Sequence, residues 1–194
     1  MGLLFRLESP VFLDKNVKDK LMTIIETERL ILRPQTIADF DVWLPMYADP
    51  EIFHVTNSPG FTPEEGWNRI LRNIGHWSTF GFGIFSIFQK SDGVFLGETG
   101  LANFHRNVDE AFDKCAEASW VITRAAQGCG IAKEAADAAH HWYVDSFSPS
   151  KTVCLIVKHH PASIRVAQHI GYRIYDECLY KGAQCFKLER LYEK

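Results

Sequence analysis

Ser119-Trp120-Val121-Ile122-Thr123-Arg124-Ala125-Ala126-Gln127-Gly128-Cys129-Gly130-Ile131-Ala132 is the stretch on which the reading of this 194-residue chain turns. Residues 119–122 read as a short apolar strand that runs into a glycine turn. From 131 to 143 the period becomes helical: Ile131, Ala135, Ala138 and Trp142 share one face, while Lys133, Asp137, His140 and His141 fall on another. A strand, a glycine turn and a helix start in that order make an anion site. The first helical N–H groups lack intrahelical acceptors and the helix dipole favours negative charge there. Gly128 and Gly130 let an anion reach the backbone without side-chain obstruction. The turn alone indicates no more than that, since paired glycines at such junctions also serve purely steric ends. No G-x-x-x-x-G-K-[ST] sequence is present, which excludes a P-loop in its usual form. A dinucleotide fold wants three spaced glycines on its first strand–helix unit, and this turn lies two-thirds along the chain.

Working outward, residues 29–33 read as a first strand stopped by Pro34, which has no N–H for a ladder. Thr36 and Asp39 resemble a capping box opening a helix to about Ala48. Thr62, Pro63 and Glu65 start a second helix over 63–78, with Trp67, Ile70, Leu71, Ile74 and Trp77 at helical spacing. Residues 84–88 and 94–96 flank the hairpin turn Ser91-Asp92-Gly93. The segment 104–114 is polar and aperiodic, a connecting loop. Residues 153–157 are continuously apolar, as in a strand covered on both faces. Pro161 begins a helix ending near Gly171, and two strands, 172–180 and 185–191, follow around Lys181-Gly182. The order β-α-α-β-β-β-α-β-α-β-β describes one mixed α/β domain over residues 22–194, with 1–21 as an extension outside the fold.

Composition narrows the partners. Net charge is −3 with no Lys/Arg cluster, so there is no electrostatic footprint for nucleic acid or an anionic membrane. Apolar runs are too short to cross a bilayer, and the first residues match neither a signal peptide nor a transit peptide. Five cysteines without a C-x-x-C pair suggest neither a disulfide framework nor a zinc site, which fits a reducing cytoplasm. A small molecule or peptide is the default partner, and the negative balance tilts toward a cationic one.

Gln127-Gly128-Cys129-Gly130-Ile131-Ala132 resembles the Q/R-x-x-G-x-G/A signature of the GNAT N-acetyltransferases, with Gln127, Gly130 and Ala132 at the signature positions. Thr27-Glu28-Arg29-Leu30-Ile31-Leu32-Arg33-Pro34 is similar to the opening strand of the branch that acetylates ribosomal-protein N-termini (the RimJ/RimL type). Gly81-Phe82-Gly83, Gly97-Glu98-Thr99-Gly100-Leu101, Lys133-Glu134-Ala135 and Pro161-Ala162-Ser163-Ile164-Arg165-Val166-Ala167, leading into Gly171-Tyr172, are similar to that branch in the same order. The resemblance covers residues 24–191.

This resemblance implies a mostly antiparallel twisted sheet, splayed into a cleft between the family's fourth and fifth strands and flanked by about four helices. It implies acetyl-CoA as cosubstrate, no metal, and direct acetyl transfer to a primary amine: a protein N-terminus, amino acid, polyamine or amine drug. Gln127, Gly128, Cys129, Gly130, Ile131, Ala132 and Lys133 would hold the CoA pyrophosphate. Val121, Ile122 and Thr123 would pair with the pantetheine arm, an amide near Val121 or Ile122 serving the oxyanion. Direct transfer needs a base for the ammonium. Glu117 is similar in placement to the glutamate of the histone-acetylating branch, and its plain alternative is a solvated strand-end carboxylate. Glu98, on a neighbouring strand, is the other candidate to bind or deprotonate the amine. Ser163 matches the serine of an N-x-x-S motif thought to assist the thiolate; the competing role is a backbone bond in the first helical turn. Two positions depart from the family. His160 stands where an asparagine contacts pantetheine, and is either a cofactor contact or a helix cap. Ala167 stands where many members carry a tyrosine. Trp67, Trp77 and Phe80 read as core, with Trp77 also a candidate border of the acceptor cleft. His140 and His141 lack partners at metal-ligand spacing, and Cys129 is no nucleophile. The rivals are a non-catalytic acyl-CoA-binding module on the same fold and a nucleotide-binding regulator. A monomer or a homodimer is expected.

Overall fold

One eight-stranded sheet runs through the residues that this computed structural model describes, 23–53 and 60–193; the 1–21 extension lies outside the described residues. Its strands are β1 (Ile25–Glu26), β2 (Leu30–Pro34), β3 (Ile84–Gln89), β4 (Phe95–Ala102), β5 (Glu117–Ile122), β6 (Lys151–Val157), β7 (Arg173–Tyr180) and β8 (Ala183–Leu191). The helices are α1 (Phe40–Ala48), α2 (Pro50–Phe53), α3 (Pro63–Phe80), α4 (Glu110–Asp113), α5 (Ile131–Phe147) and α6 (Pro161–His169). The spatial order is β1-β2-β3-β4-β5-β6-β8-β7, and every neighbouring pair is antiparallel except β5 and β6. Four long helices flank the sheet as expected; α2 and α4 are single turns of four residues.

Pro34 ends its strand as the last residue of β2 rather than the first beyond it. It pairs with Phe85 inside β2, and β1 reaches only as far as Leu32, so no neighbour on that side calls for the missing N–H. The expected loop 104–114 contains α4, where Asp109 Oδ1 accepts the Phe112 N–H at 2.8 Å and Phe112 is buried. A single apolar residue in a polar run leaves no period to read.

Helix α3 opens with the expected box: the Thr62 N–H donates to Glu65 Oε2 at 2.8 Å, and Thr62 Oγ1 accepts from the Glu65 N–H at 3.3 Å. Its buried face is Gly66, Ile70, Asn73 and Trp77, whereas Trp67 and Leu71 are exposed. Gly66 nests against Trp43 and Leu44, and Asn73 is hydrogen-bonded inside. A count of apolar residues therefore turns the helix too far.

Side chains alternate across the sheet. On one face Val121 packs with Trp43, Met46, Tyr47 and Ile70 beneath α1 and α3. On the other, Ala118 and Ile122 join the cores built with α5 and α6. His140 corrects its expected place on a polar face. It is buried, its Nδ1 bonded to the Ala136 carbonyl at 2.6 Å and its Nε2 to Tyr172 Oη at 2.9 Å. Burial pushes its pKa down to about 4. Among the described residues, no helix is long and apolar enough to cross a membrane.

Candidate active site

Strands β5 and β6 run parallel but share one registered pair, Glu117 with Val153, beside the Val153 N–H bond to the Ala116 carbonyl at 3.0 Å. Each strand is fully paired on its other side. β4 follows β5 from Glu117 to Ile122, and β8 follows β6 from Lys151 to Val157. Two well-knit half-sheets therefore part at this seam. The Thr123 N–H donates to Leu96 at 2.9 Å, which sets the antiparallel phase. Val121 and Ser119 then spend their backbone groups on β4, while Trp120 and Ile122 turn theirs to the gap. Of the two expected oxyanion donors, the ladder takes the Val121 amide and leaves that of Ile122.

At the open end of the gap, a 3-10 turn (Arg124–Ala126) leads to Gly128 and Gly130, with φ of 77° and 80°. The Gln127 side-chain amide donates to the Ile122 carbonyl at 3.2 Å, tying turn to strand. No side chain caps α5 at Gly130. Its first helical bond runs from the Glu134 N–H to the Gly130 carbonyl at 3.1 Å, so the N–H groups of Ile131, Ala132 and Lys133 precede the ladder. Nothing lies within 4 Å of where a side chain on Gly128 would begin, and at Gly130 the nearest atom is Arg29 Nη2 at 3.5 Å. Arg29 was not legible as part of this turn. Its guanidinium donates to the Cys129 carbonyl at 3.0 Å and pairs with Glu134 at 2.6 Å, a partner 105 residues away. Arg29 thus adds a cation to the mouth of the turn. Beside the same strand end, α1 and β4 border an open groove of about 510 Å³ that includes Met46, Phe95, Thr123 and Arg124.

Across the gap, His160 is the N-cap of α6: its Nδ1 accepts the Ser163 N–H at 3.2 Å. An Nδ1 that accepts carries no proton, so the proton of the imidazole sits on Nε2, 3.4 Å from Ser163 Oγ. Trp120 Nε1 donates to the same Oγ at 3.3 Å. Ser163 Oγ therefore accepts twice, and among the described residues no acceptor takes its own proton. Trp120, which the sequence does not single out, links β5 to α6.

Under α1 and α3, Glu98 is buried and occupied. Gln35 Nε2 and Trp43 Nε1 donate to Oε2 at 2.7 and 2.6 Å, Tyr47 donates to Oε1, and Arg69 stands at 3.5 Å. Glu98 ties two helices to the sheet, its carboxylate already holding three donors and facing the Arg69 charge. Glu117 is not a solvated strand-end carboxylate. It is buried, and Arg106 Nε donates to its two oxygens at 2.7 and 2.9 Å. Burial raises its pKa and the Arg106 charge opposes the rise. Arg106 also bonds Tyr180 Oη at 3.3 Å. Trp77 is fully buried, its Nε1 donating to the Ile84 carbonyl at 2.8 Å, and borders no cleft.

Known proteins share this fold. Residues 29–173 match the family model described as an acetyltransferase (GNAT) domain. A structure from Bordetella pertussis described as a GNAT-family acetyltransferase is 30% identical, with a TM-score of 0.78, 87% of this chain covered and 99% of that one. Two others share the fold at lower identity. The RimL ribosomal L7/L12 alpha-N-protein acetyltransferase in complex with coenzyme A is 17% identical, at a TM-score of 0.71 with 87% and 98% covered. The spermidine N-acetyltransferase of Vibrio cholerae in complex with CoA and spermine is 15% identical, at 0.67 with 85% and 96% covered.

Proposed function

The chain belongs to the GNAT acetyltransferase family, and on that premise we propose how its site works: acetyl-CoA binds in the seam between β5 and β6, and its acetyl group passes directly to a primary amine. The observation that carries this reading is the juxtaposition of a strand edge left open from Trp120 to Ile122 with an uncapped helix start at Gly130. The pyrophosphate lies against the amides of residues 128–133 and the Arg29 guanidinium, and the pantetheine arm pairs with β5. The Ile122 amide donates to the thioester oxygen as negative charge gathers there.

Glu117 takes the proton that the ammonium must lose, through water, because its carboxylate is enclosed by Arg106. The neutral nitrogen attacks the acetyl carbon and loses its second proton to solvent as the amide forms; the C–S bond breaks, and the departing sulfur takes a proton from Ser163. That serine is suited to the step: Trp120 and His160 donate to its lone pairs and leave its hydrogen uncommitted among the described residues. Solvent restores the serine proton and removes the one on Glu117. The RimL and spermidine enzymes act on a protein N-terminus and on a polyamine, so amines of both kinds belong in a test panel. A monomer or homodimer in a reducing cytoplasm completes the proposal, in keeping with the five free thiols.

Thiol release from acetyl-CoA, followed across amino acids, peptides, polyamines and amine drugs, tests the reading. Turnover with at least one amine supports it. A second reading, a non-catalytic acyl-CoA-binding module, draws on Ala167 in place of the family's tyrosine; saturable acetyl-CoA binding with no turnover on any amine would establish that instead.

A further inference from the structure

Three guanidinium groups converge on one ring beside the closed end of the seam. Arg106, Arg72 and Arg69 lie 4.6, 5.7 and 5.9 Å from the centroid of Phe104. Arg69 and Arg72 come from α3, while Phe104 and Arg106 follow β4. Their charges are not spent alike. Arg106 is matched by Glu117. Arg69 stands 3.5 Å from Glu98, whose other donors already crowd it, and its Nε is buried with no partner among the described residues. Arg72 makes no ion pair or hydrogen bond among the described residues. Burial and the like charges of Arg69 and Arg106 pull its pKa down to about 10, with Glu98 the opposing carboxylate. Asp113, a third acid nearby, bears on Glu117.

Beneath Arg72 is a cavity of about 50 Å³, lined also by Asn73, His76, Asn103 and Phe104 and floored by Ile84 and Ala102. Ala102 is the register partner of Glu117, so this cavity adjoins the place where the amine would be deprotonated. It has room for a few waters, at about 10–15 Å³ each, or for one small anionic group. Most of its other polar lining is committed. His76 Nδ1 donates to the Phe82 carbonyl at 2.7 Å while its Nε2 accepts the Asn103 N–H at 2.9 Å, which makes the ring neutral. The Asn73 amide donates to Gln35 at 2.7 Å. The uncommitted charge at this cavity is the Arg72 guanidinium. Like charges gathered in a half-buried place are unfavourable until an anion joins them.

We propose that Arg72, assisted by Arg69, binds a carboxylate carried by the acceptor, so that the preferred substrate is an amine bearing a carboxylate within a few bonds. This rests on acetyl transfer at the seam and names the substrate class for it. The overall charge of −3 points the other way, toward a cationic acceptor, but it is an average over the surface. The groups facing the acceptor side are what an amine meets. Free amino acids and peptides with an acidic first residue both present this chemistry.

The test is thiol release at saturating acetyl-CoA with amines matched except for the carboxylate, such as phenylalanine against phenethylamine. Aspartate-first peptides against alanine-first peptides form the second arm. In the wild type, kcat/KM is expected to be about tenfold or more higher for the carboxylate-bearing member of one arm, the size of one charge-assisted contact. Arg72 makes no hydrogen bond or ion pair among the described residues for Arg72→Met to break, so the variant should fold normally, as a thermal melt will show. In that variant the carboxylated amine should lose about tenfold, with the uncharged partner within about threefold and the acetyl-CoA KM unchanged. A preference in the first arm identifies amino acids as the source, and one in the second identifies peptides. Turnover indifferent to the carboxylate in both arms, a preference for spermidine, or an equal loss on both members in Arg72→Met overturns this proposal alone. Absence of thiol release with every amine overturns the acetyl-transfer reading together with it.

Discussion

Glu117 and Val153 form the single registered pair between β5 and β6 among the described residues, and Glu117 also carries a buried carboxylate beside the end of the gap that opens beyond them. One residue thus marks the apex of the splay with its backbone and places a carboxylate there with its side chain. Its neighbours decide how that carboxylate behaves. Burial raises its pKa and Arg106 holds the rise in check.

The first prediction follows from that opposition. A base acts ionised, so the rate should rise with pH through the Glu117 pKa, at a limb above the usual carboxylate range. Removing Arg106 takes away the charge that lowers this pKa, so Arg106→Gln should move the limb to higher pH. Glu117→Gln should cost about 10²- to 10⁴-fold in kcat. A pH–rate profile of the three proteins checks both; a limb unmoved in Arg106→Gln would remove Glu117 from the role.

The second concerns His160. Its Nδ1 caps α6 and its Nε2–H donates to Ser163. His160→Asp keeps the cap but turns the donor into an acceptor, which draws the Ser163 proton away from the gap. We expect kcat to fall about tenfold with the acetyl-CoA KM nearly unchanged, and His160→Asn, whose amide can both accept and donate, to recover most of the loss. In a Ser163→Ala background His160→Asp should cost little more; additive losses would show that the histidine does not act through the serine.

A third prediction concerns stability. The folded state holds His140 neutral down to about pH 4, whereas an unfolded histidine protonates near 6.5. Within that window the unfolded chain binds a proton that the folded one refuses. His140 therefore destabilises the fold progressively as pH falls from about 6.5 to 4, by up to about 3 kcal/mol, and has no such effect above it. Urea midpoints at pH 7.5 and 5 should show a smaller acid loss in His140→Gln; equal losses would contradict the assignment.

What the sequence reveals and what it hides follow from range. The cap at Thr62, the hairpin at 91–93 and the glycine turn are local signals, written within a few residues, and the structure has them, while Thr36 leads into a 3-10 turn (Ile37–Asp39) ahead of α1. The α3 face is misjudged because Gly66 and Asn73 bury small and polar groups where apolar ones are counted. Glu98 and Glu117 cannot be weighed from their strands alone, since Gln35, Trp43, Tyr47 and Arg106 reach them from elsewhere in the chain. Trp120 and Arg29 escape notice for the same reason: each gains its meaning from a partner 43 or 105 residues away.

The most direct test of the central claim is a calorimetric titration of acetyl-CoA into the wild type and Gly130→Glu. At φ 80° any side chain strains the turn by about 1–2 kcal/mol, and this one places a carboxylate beside Arg29 where the pyrophosphate should lie. Saturable binding in the wild type with an affinity at least about a hundredfold weaker in the variant is the predicted result, equivalent to about 3 kcal/mol. Equal affinity in two folded proteins would contradict the placement of the cofactor at this turn.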